Sequence, residues 1–220
     1  MKYIIMCGGT YTYWDYPRQL TKINGETLIE RTIRLLQENG VDKRDIRISV
    51  SNGEQARKVL DTIQNKVCVL VHKNCFTVRS HSDVDGYWWE CFVPVNCACT
   101  YLCGDVVFSP AAIKKIVETQ TDDIEFFASA PPFAKNYSKE WAEPFAFKVV
   151  NQEHLEAAKL KATQLQHEGK FIRVPIAWEF WQVIKGTELN DIDYTNYTVI
   201  NDYTCDIDNP DDIKKFEGAE

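Results

Sequence analysis

The chain lacks an excess of basic residues: 25 Lys and Arg stand against 32 Asp and Glu, for a formal net charge of −7. Broad binding to nucleic acid or to an anionic membrane surface needs a clustered cationic face, so neither partner is expected. An anionic ligand would need local help from loops and metal. No apolar run approaches bilayer-spanning length, and the opening Met1-Lys2-Tyr3-Ile4-Ile5-Met6 leads to Gly8-Gly9 without a signal-cleavage pattern. A cytoplasmic protein is the expectation. The eight cysteines include no CxxC pair, which favours reduced core thiols over a disulfide framework. Cys97, Cys99 and Cys103 share one face of an extended segment, and a zinc site is the alternative to buried thiols there. Internal repeats, low-complexity tracts and linkers are also missing. At 220 residues and 45% hydrophobic, the expected organisation is one α/β domain carrying an insertion.

What is present is an alternation of strands and helices. Residues 2–7 form an apolar run that stops at Gly8-Gly9, as a buried strand ending in a turn does. Leu28, Ile29, Ile33, Leu35 and Leu36 fall near helical spacing within 26–39, and Asn39-Gly40 supplies a left-handed stop. Strands are expected at 46–50 and 67–71, with a helix at 53–64 between them. Such alternation implies βαβ units and a mostly parallel sheet. The pattern breaks over 73–95, which reads as a loop followed by a short helix. It resumes with a strand at 99–103 and a helix to about residue 118, for which Ser109 is the cap and Pro110 the first residue. Strands at 125–130 and 145–150, helices at 152–169 and 175–184, a strand at 198–203 and a helix opened by Pro210 complete the reading.

Three segments carry candidate chemistry. In the first, Cys7-Gly8-Gly9-Thr10, a glycine pair after a strand leaves backbone N–H groups free to face an anion; an ordinary turn explains the pair equally well. In the second, the apolar Tyr101-Leu102-Cys103 delivers Gly104-Asp105 at a strand's C-terminal end, where open α/β sheets bind ligands. The third, Cys205-Asp206-Ile207-Asp208-Asn209-Pro210, puts acids at a helix entrance, as metal ligands or as caps.

Further cations and polar groups are harder to assign. Lys148 alternates with aromatics on its strand and points either to solvent or into a site. Lys22 and Arg79 lie where phosphate, base or second substrate can be met, although surface exposure is the commoner fate. Asn52 can bond a base or merely form a turn. Trp88, Trp89, Trp178 and Trp181 read as core or interface rather than as a sugar platform.

Pro17-Arg18-Gln19-Leu20, Asn24-Gly25 and Leu28-Ile29-Glu30-Arg31 follow the glycine pair in an order that resembles the opening of sugar-phosphate nucleotidyltransferases. That family reads roughly Gly-x-Gly-x-Arg, then Pro-Lys, then a glycine turn and a helix beginning Leu-Ile-Glu. Gly104-Asp105-Val106 resembles its metal-binding aspartate, and Asp208 matches the first aspartate of its Asp-Thr-Pro-Glu-Asp-Leu ending. This chain departs by having Arg18 for lysine and by lacking the second glycine and the loop arginine. Tyr11, Tyr13, Trp14 and Tyr16 fill that space, so phosphate contacts are expected to be partly rearranged.

The resemblance implies a Rossmann-like α/β three-layer sandwich, one domain over 1–220, with substrate-binding insertions around 73–95 and 131–145. It implies transfer of an NMP group from an NTP, CTP favoured by analogy, to a phosphorylated small molecule with release of pyrophosphate. Asp105 and Asp208 would hold Mg²⁺. Gly8, Gly9, Thr10, Arg18, Lys22, Asn52 and Arg79 would bind the nucleotide, with Arg18 and Lys148 as catalytic cations. A glycosyltransferase using a nucleotide-sugar donor and a non-catalytic nucleotide-binding domain are the competing readings. The oligomeric state is open, a homodimer included.

Overall fold

A computed structural model describes residues 1–11, 14, 16–63, 66–80, 83–129 and 142–216. In chain order the elements are β1 (Lys2–Met6), β2 (Thr10–Tyr11), β3 (Lys22–Ile23), β4 (Glu26–Thr27), α1 (Leu28–Glu38), β5 (Ile46–Val50), α2 (Gly53–Ile63), β6 (Cys68–Val71), β7 (Thr77–Ser80) and β8 (Asp83–Asp85). There follow β9 (Cys99–Cys103), β10 (Val106–Val107), α3 (Pro110–Glu118), β11 (Ile124–Ser129), β12 (Pro144–Val149), α4 (Gln152–His167), α5 (Ala177–Lys185), β13 (Thr198–Ile200) and β14 (Cys205–Asp206).

The central sheet has seven strands in the order β13-β11-β12-β9-β1-β5-β6. Strands β5 and β9 run parallel to β1, and β6 parallel to β5. Only β12, among the sheet's strands, runs against its neighbours, antiparallel to both β9 and β11. The expected mostly parallel α/β sandwich is therefore the fold. Because successive strand side chains point to opposite faces, β1 divides its residues between two cores. Tyr3 and Ile5 join Ile29, Ile33, Val59 and Ile113 of α1, α2 and α3, whereas Ile4 and Met6 join Leu155, Ala158 and Trp178 of α4 and α5. Helices thus cover both faces. The second core is built on aromatics: Phe126 and Phe147 stack at 4.4 Å, and Trp178 meets Phe126 edge-on at 4.9 Å. Trp89, Trp178 and Trp181 are buried there, in line with a core role.

Local chemistry sets most boundaries. Asn24 and Gly25 both take positive φ, which lets a two-residue turn join β3 to β4. Helix α1 starts two residues inside the expected span because Thr27 caps it: the Thr27 side chain accepts from the Glu30 N–H, and Glu30 accepts from the Thr27 N–H. Gly40, at φ 81°, follows its end. Ser109 caps α3 by accepting from the Ala112 N–H at 2.9 Å, with Pro110 in the first turn as expected.

Residues 73–95 depart from expectation. Where a loop and a short helix were read, β7 and β8 form a hairpin before a 3₁₀ turn at Trp88–Cys91, and β7 pairs in parallel with β2. Strands this short carry no periodic signal, and their partner β2 lies more than sixty residues away in sequence. The proposed insertion at 131–145 falls largely outside the described residues. The expected strand at 198–203 ends at Ile200, and the segment opened by Pro210 is a 3₁₀ turn through Phe216 rather than an α-helix.

Candidate active site

The ligand edge is where β1, β9 and β5 end. Beyond β1, the Cys7 N–H donates to the Ser49 carbonyl at 2.8 Å, which ties the start of the glycine loop to β5. Gly8 is held close to Asn74: a Cβ on Gly8 would lie 2.9 Å from Asn74 Nδ2. Gly9 takes φ 88°, a conformation costly for other residues. Thr10 then opens β2. Beyond β9, the Gly104 N–H donates to the Met6 carbonyl at 3.0 Å, and a Cβ there would meet that oxygen at 2.5 Å. Glycine at 104 thus lets the strand carrying Asp105 lie against the base of the glycine loop.

Two long-range connections complete the edge. Strands β10 and β14 pair antiparallel, Val106 with Asp206, and the Ile207 N–H donates to the Asp105 carbonyl at 3.0 Å. The C-terminal acids therefore come to rest beside Asp105. The segment is pinned from behind by Ser109, whose Oγ donates to Asp202 at 2.6 Å, and by Arg31, which donates to the Phe108 carbonyl at 3.0 Å and the Tyr203 hydroxyl at 2.9 Å.

Arg18 closes the arrangement. Emerging from the turn after Pro17, its side chain is 3% exposed, and its two Nη groups reach different carboxylates. Nη2 donates to Asp105, and Nη1 donates to Asp208 at 3.1 Å and to the Ile207 carbonyl at 3.1 Å. The two partners differ in access: Asp105 is 20% exposed, Asp208 61%. Asp206 lies deeper. Its carboxyl is pushed well above the usual range, first by burial and then by the negative charges of Glu143, Asp208 and Asp105. Asp105, Asp206 and Asp208 thus all act on one cation. The thiols of Cys7 and Cys103 are also raised well above their usual range by burial and then by Asp105, so both are held as protonated, poorly nucleophilic groups.

The donor set fits Mg²⁺. Carboxylate oxygens suit a hard cation, and Mg²⁺ in phosphoryl chemistry is commonly held by one or two carboxylates together with substrate phosphates rather than by a protein cage. Among the described residues no group of three or more His, Cys, Asp or Glu forms such a cage, for magnesium here or for zinc at the cysteines. Cys99 is buried in the second core, while Cys97 is exposed ahead of β9.

The architecture is shared with solved structures. No known family profile matches the sequence, and no curated protein does. Among solved structures, a Bacillus anthracis protein assigned as a glucose-1-phosphate thymidylyltransferase aligns over 99% of this chain and 94% of its own, at TM-score 0.61 and 14% identity. A nucleoside-diphosphate-sugar pyrophosphorylase of Vibrio cholerae aligns over 98% and 99%, at TM-score 0.55 and 12% identity. The CTP:phosphocholine cytidylyltransferase of Streptococcus pneumoniae aligns over 99% and 97%, at TM-score 0.53 and 16% identity. The chain shares the fold of these three proteins.

Within that fold, the expected residues separate into those the tertiary structure gathers and those it does not. Gly8, Gly9, Arg18, Asp105 and Asp208 meet at one edge. Lys148 requires correction as a catalytic cation. It stands opposite Thr100, toward the start of β9 rather than its Asp105 end, and its ammonium donates to the carbonyls of Val117 at 3.1 Å and Thr119 at 2.5 Å. There it caps the C-terminus of α3, where a cation also complements the helix dipole. Arg79 is likewise committed, to Asp83 at 3.0 Å and to Asp85 on its own hairpin. Asn52 accepts from the Glu54 N–H at 3.0 Å and so turns the chain into α2. Lys22 is exposed on β3.

Two features escaped the sequence reading. Asn74 beside Gly8 and Glu143 near Asp206 lie in stretches with no motif, and only the fold brings them to the edge. Trp14, expected to crowd the phosphate space, instead donates to the Asp208 carbonyl at 3.1 Å and packs with Tyr203 and Ile213 against the core formed by Ile23, Leu28, Val107 and Phe216. Of the other loop aromatics, Tyr13 lies outside the described residues.

Proposed function

We propose that this protein is a nucleotidyltransferase that transfers an NMP group, with CTP the favoured donor, to a phosphorylated sugar or related small molecule. The observation that carries this reading is the convergence of Asp105 and Asp208 on Arg18. Residues 87 and 190 positions from Arg18 meet it beside a glycine loop, at the edge where α/β sheets bind ligands. Gly8 and Gly9 present backbone to the triphosphate. Asp105 and Asp208 would hold Mg²⁺, which would supply charge neutralisation on the phosphates. An oxygen of the acceptor's phosphate attacks the α-phosphorus in line. The bond from that phosphorus to the bridging oxygen breaks, and pyrophosphate leaves with the electron pair. Arg18 stabilises the negative charge that grows on the α-phosphate, as a planar fork rather than as the point charge of the family's lysine. Attack is direct, with positioning contributing much of the rate.

The test is a screen of the four NTPs against sugar, polyol and amino-alcohol phosphates with pyrophosphate detection. Pyrophosphate release dependent on both substrates is expected, and Asp105→Asn should lower it by a factor on the order of 10³, the scale of losing a principal electrostatic group. Transfer from a nucleotide-sugar without pyrophosphate would establish the glycosyltransferase reading instead. Unchanged turnover in Asp105→Asn would remove that residue from the metal site.

A further inference from the structure

We propose that Arg18 competes with the divalent cation for Asp105 and Asp208, so that the metal site is held closed by a resident guanidinium until a triphosphate arrives. The inference rests on the nucleotidyltransferase reading for the identity of cation and nucleotide. The competition itself rests on geometry.

Each Nη of Arg18 is hydrogen-bonded to one of the two carboxylates, and Nη1 is also anchored on the Ile207 carbonyl. A divalent ion bound to those carboxylates takes their oxygens at about 2.1 Å, and one oxygen of each, Asp105 Oδ2 and Asp208 Oδ1, is already engaged by the guanidinium. Both cannot be accommodated without bringing three positive charges within a few ångströms in a partly buried site, where their repulsion is weakly screened. The cation without a carboxylate needs another anion, and a phosphate is the guanidinium's alternative bidentate partner. Arg18 sits at the end of the loop that starts at Gly8-Gly9, so phosphates bound by that loop are within the reach of a side-chain movement. The exposed side of Asp208 gives the ion its approach, while the buried side keeps Arg18 in place. A lone metal ion must therefore displace an ion pair, whereas a metal–triphosphate complex supplies the displaced group with a partner.

The experiment is a Mn²⁺ titration of the full chain, with free Mn²⁺ read by electron paramagnetic resonance and no acceptor present. Wild type, Arg18→Gln and Arg18→Lys are compared alone, and wild type is repeated with an α,β-methylene CTP analogue that cannot transfer. Arg18→Gln is expected to bind Mn²⁺ at least tenfold more tightly than wild type. Arg18→Lys, a cation that cannot fork between two carboxylates, should fall between them. Circular dichroism establishes that each variant is folded, and if the Gln variant is not, the Lys variant carries the comparison. Folded variants that bind Mn²⁺ no more tightly than wild type would overturn the proposal. Tighter binding in the variants, with no analogue effect in wild type, would keep the competition and count against the nucleotide reading.

Discussion

Among the described residues, two arginines each bridge two aspartates. Arg79 on β7 meets Asp83 and Asp85, four and six residues away on the same exposed hairpin. Arg18 is buried and meets Asp105 and Asp208 on two other segments. The difference lies in what each pair organises. The Arg79 cluster repeats a proximity that the hairpin already enforces, and water can replace any member of it. The Arg18 cluster joins the glycine loop, the end of β9 and the C-terminal segment, and its charges lie where water screens them poorly. Similar chemistry therefore marks a surface ornament in one place and a candidate site in the other. Burial and sequence separation distinguish them.

That contrast can be broken by removing each cation in turn. Arg18→Ala should have the largest effect, lowering unfolding stability by about 3 kcal/mol in urea denaturation. This is the low end for breaking a buried pair, because Asp208 retains access to water. A loss below about 1 kcal/mol would place the cluster with Arg79. Lys148→Met comes next. The carbonyls of Val117 and Thr119 lose their donor, at a cost of about 1–2 kcal/mol, partly offset because a buried ammonium is removed. Its kcat/KM should stay within about twofold of wild type, because the side chain caps α3 away from Asp105. A selective collapse of turnover would reinstate Lys148 as a catalytic cation. Arg79→Ala should change stability least, by under about 0.5 kcal/mol, and the change should shrink further when salt is raised. An Arg79→Ala effect confined to the KM for the NTP would show that the hairpin arginine turns toward the nucleotide.

Much of the framework is legible without coordinates. The runs at 2–7 and 99–103 announce strands, Ser109-Pro110 announces a helix start, and Asn24-Gly25 announces a turn. Each is a local preference that neighbouring residues enforce on one another. The hairpin over 77–85 was not legible because β7 and β8 are short and take their register from β2. Lys148 misled for a related reason. A lysine among aromatics on a strand must send its ammonium somewhere, and the alternation of residues cannot say to which end of the sheet. The carbonyls at the end of α3 decided it.

The order of strands and helices, the glycines at 8, 9 and 104, and the acids at 105 and 208 belong to the sequence alone, because backbone freedom and side-chain chemistry are local properties. Which of the charged residues form a site was decided by tertiary structure. The pairing of β10 with β14 carries Asp206 and Asp208 across the chain to Asp105, and burial around Arg18 makes their charges act on one another. Electrostatic coupling depends on distance and on exclusion of water, and both are set by packing between segments far apart in the chain.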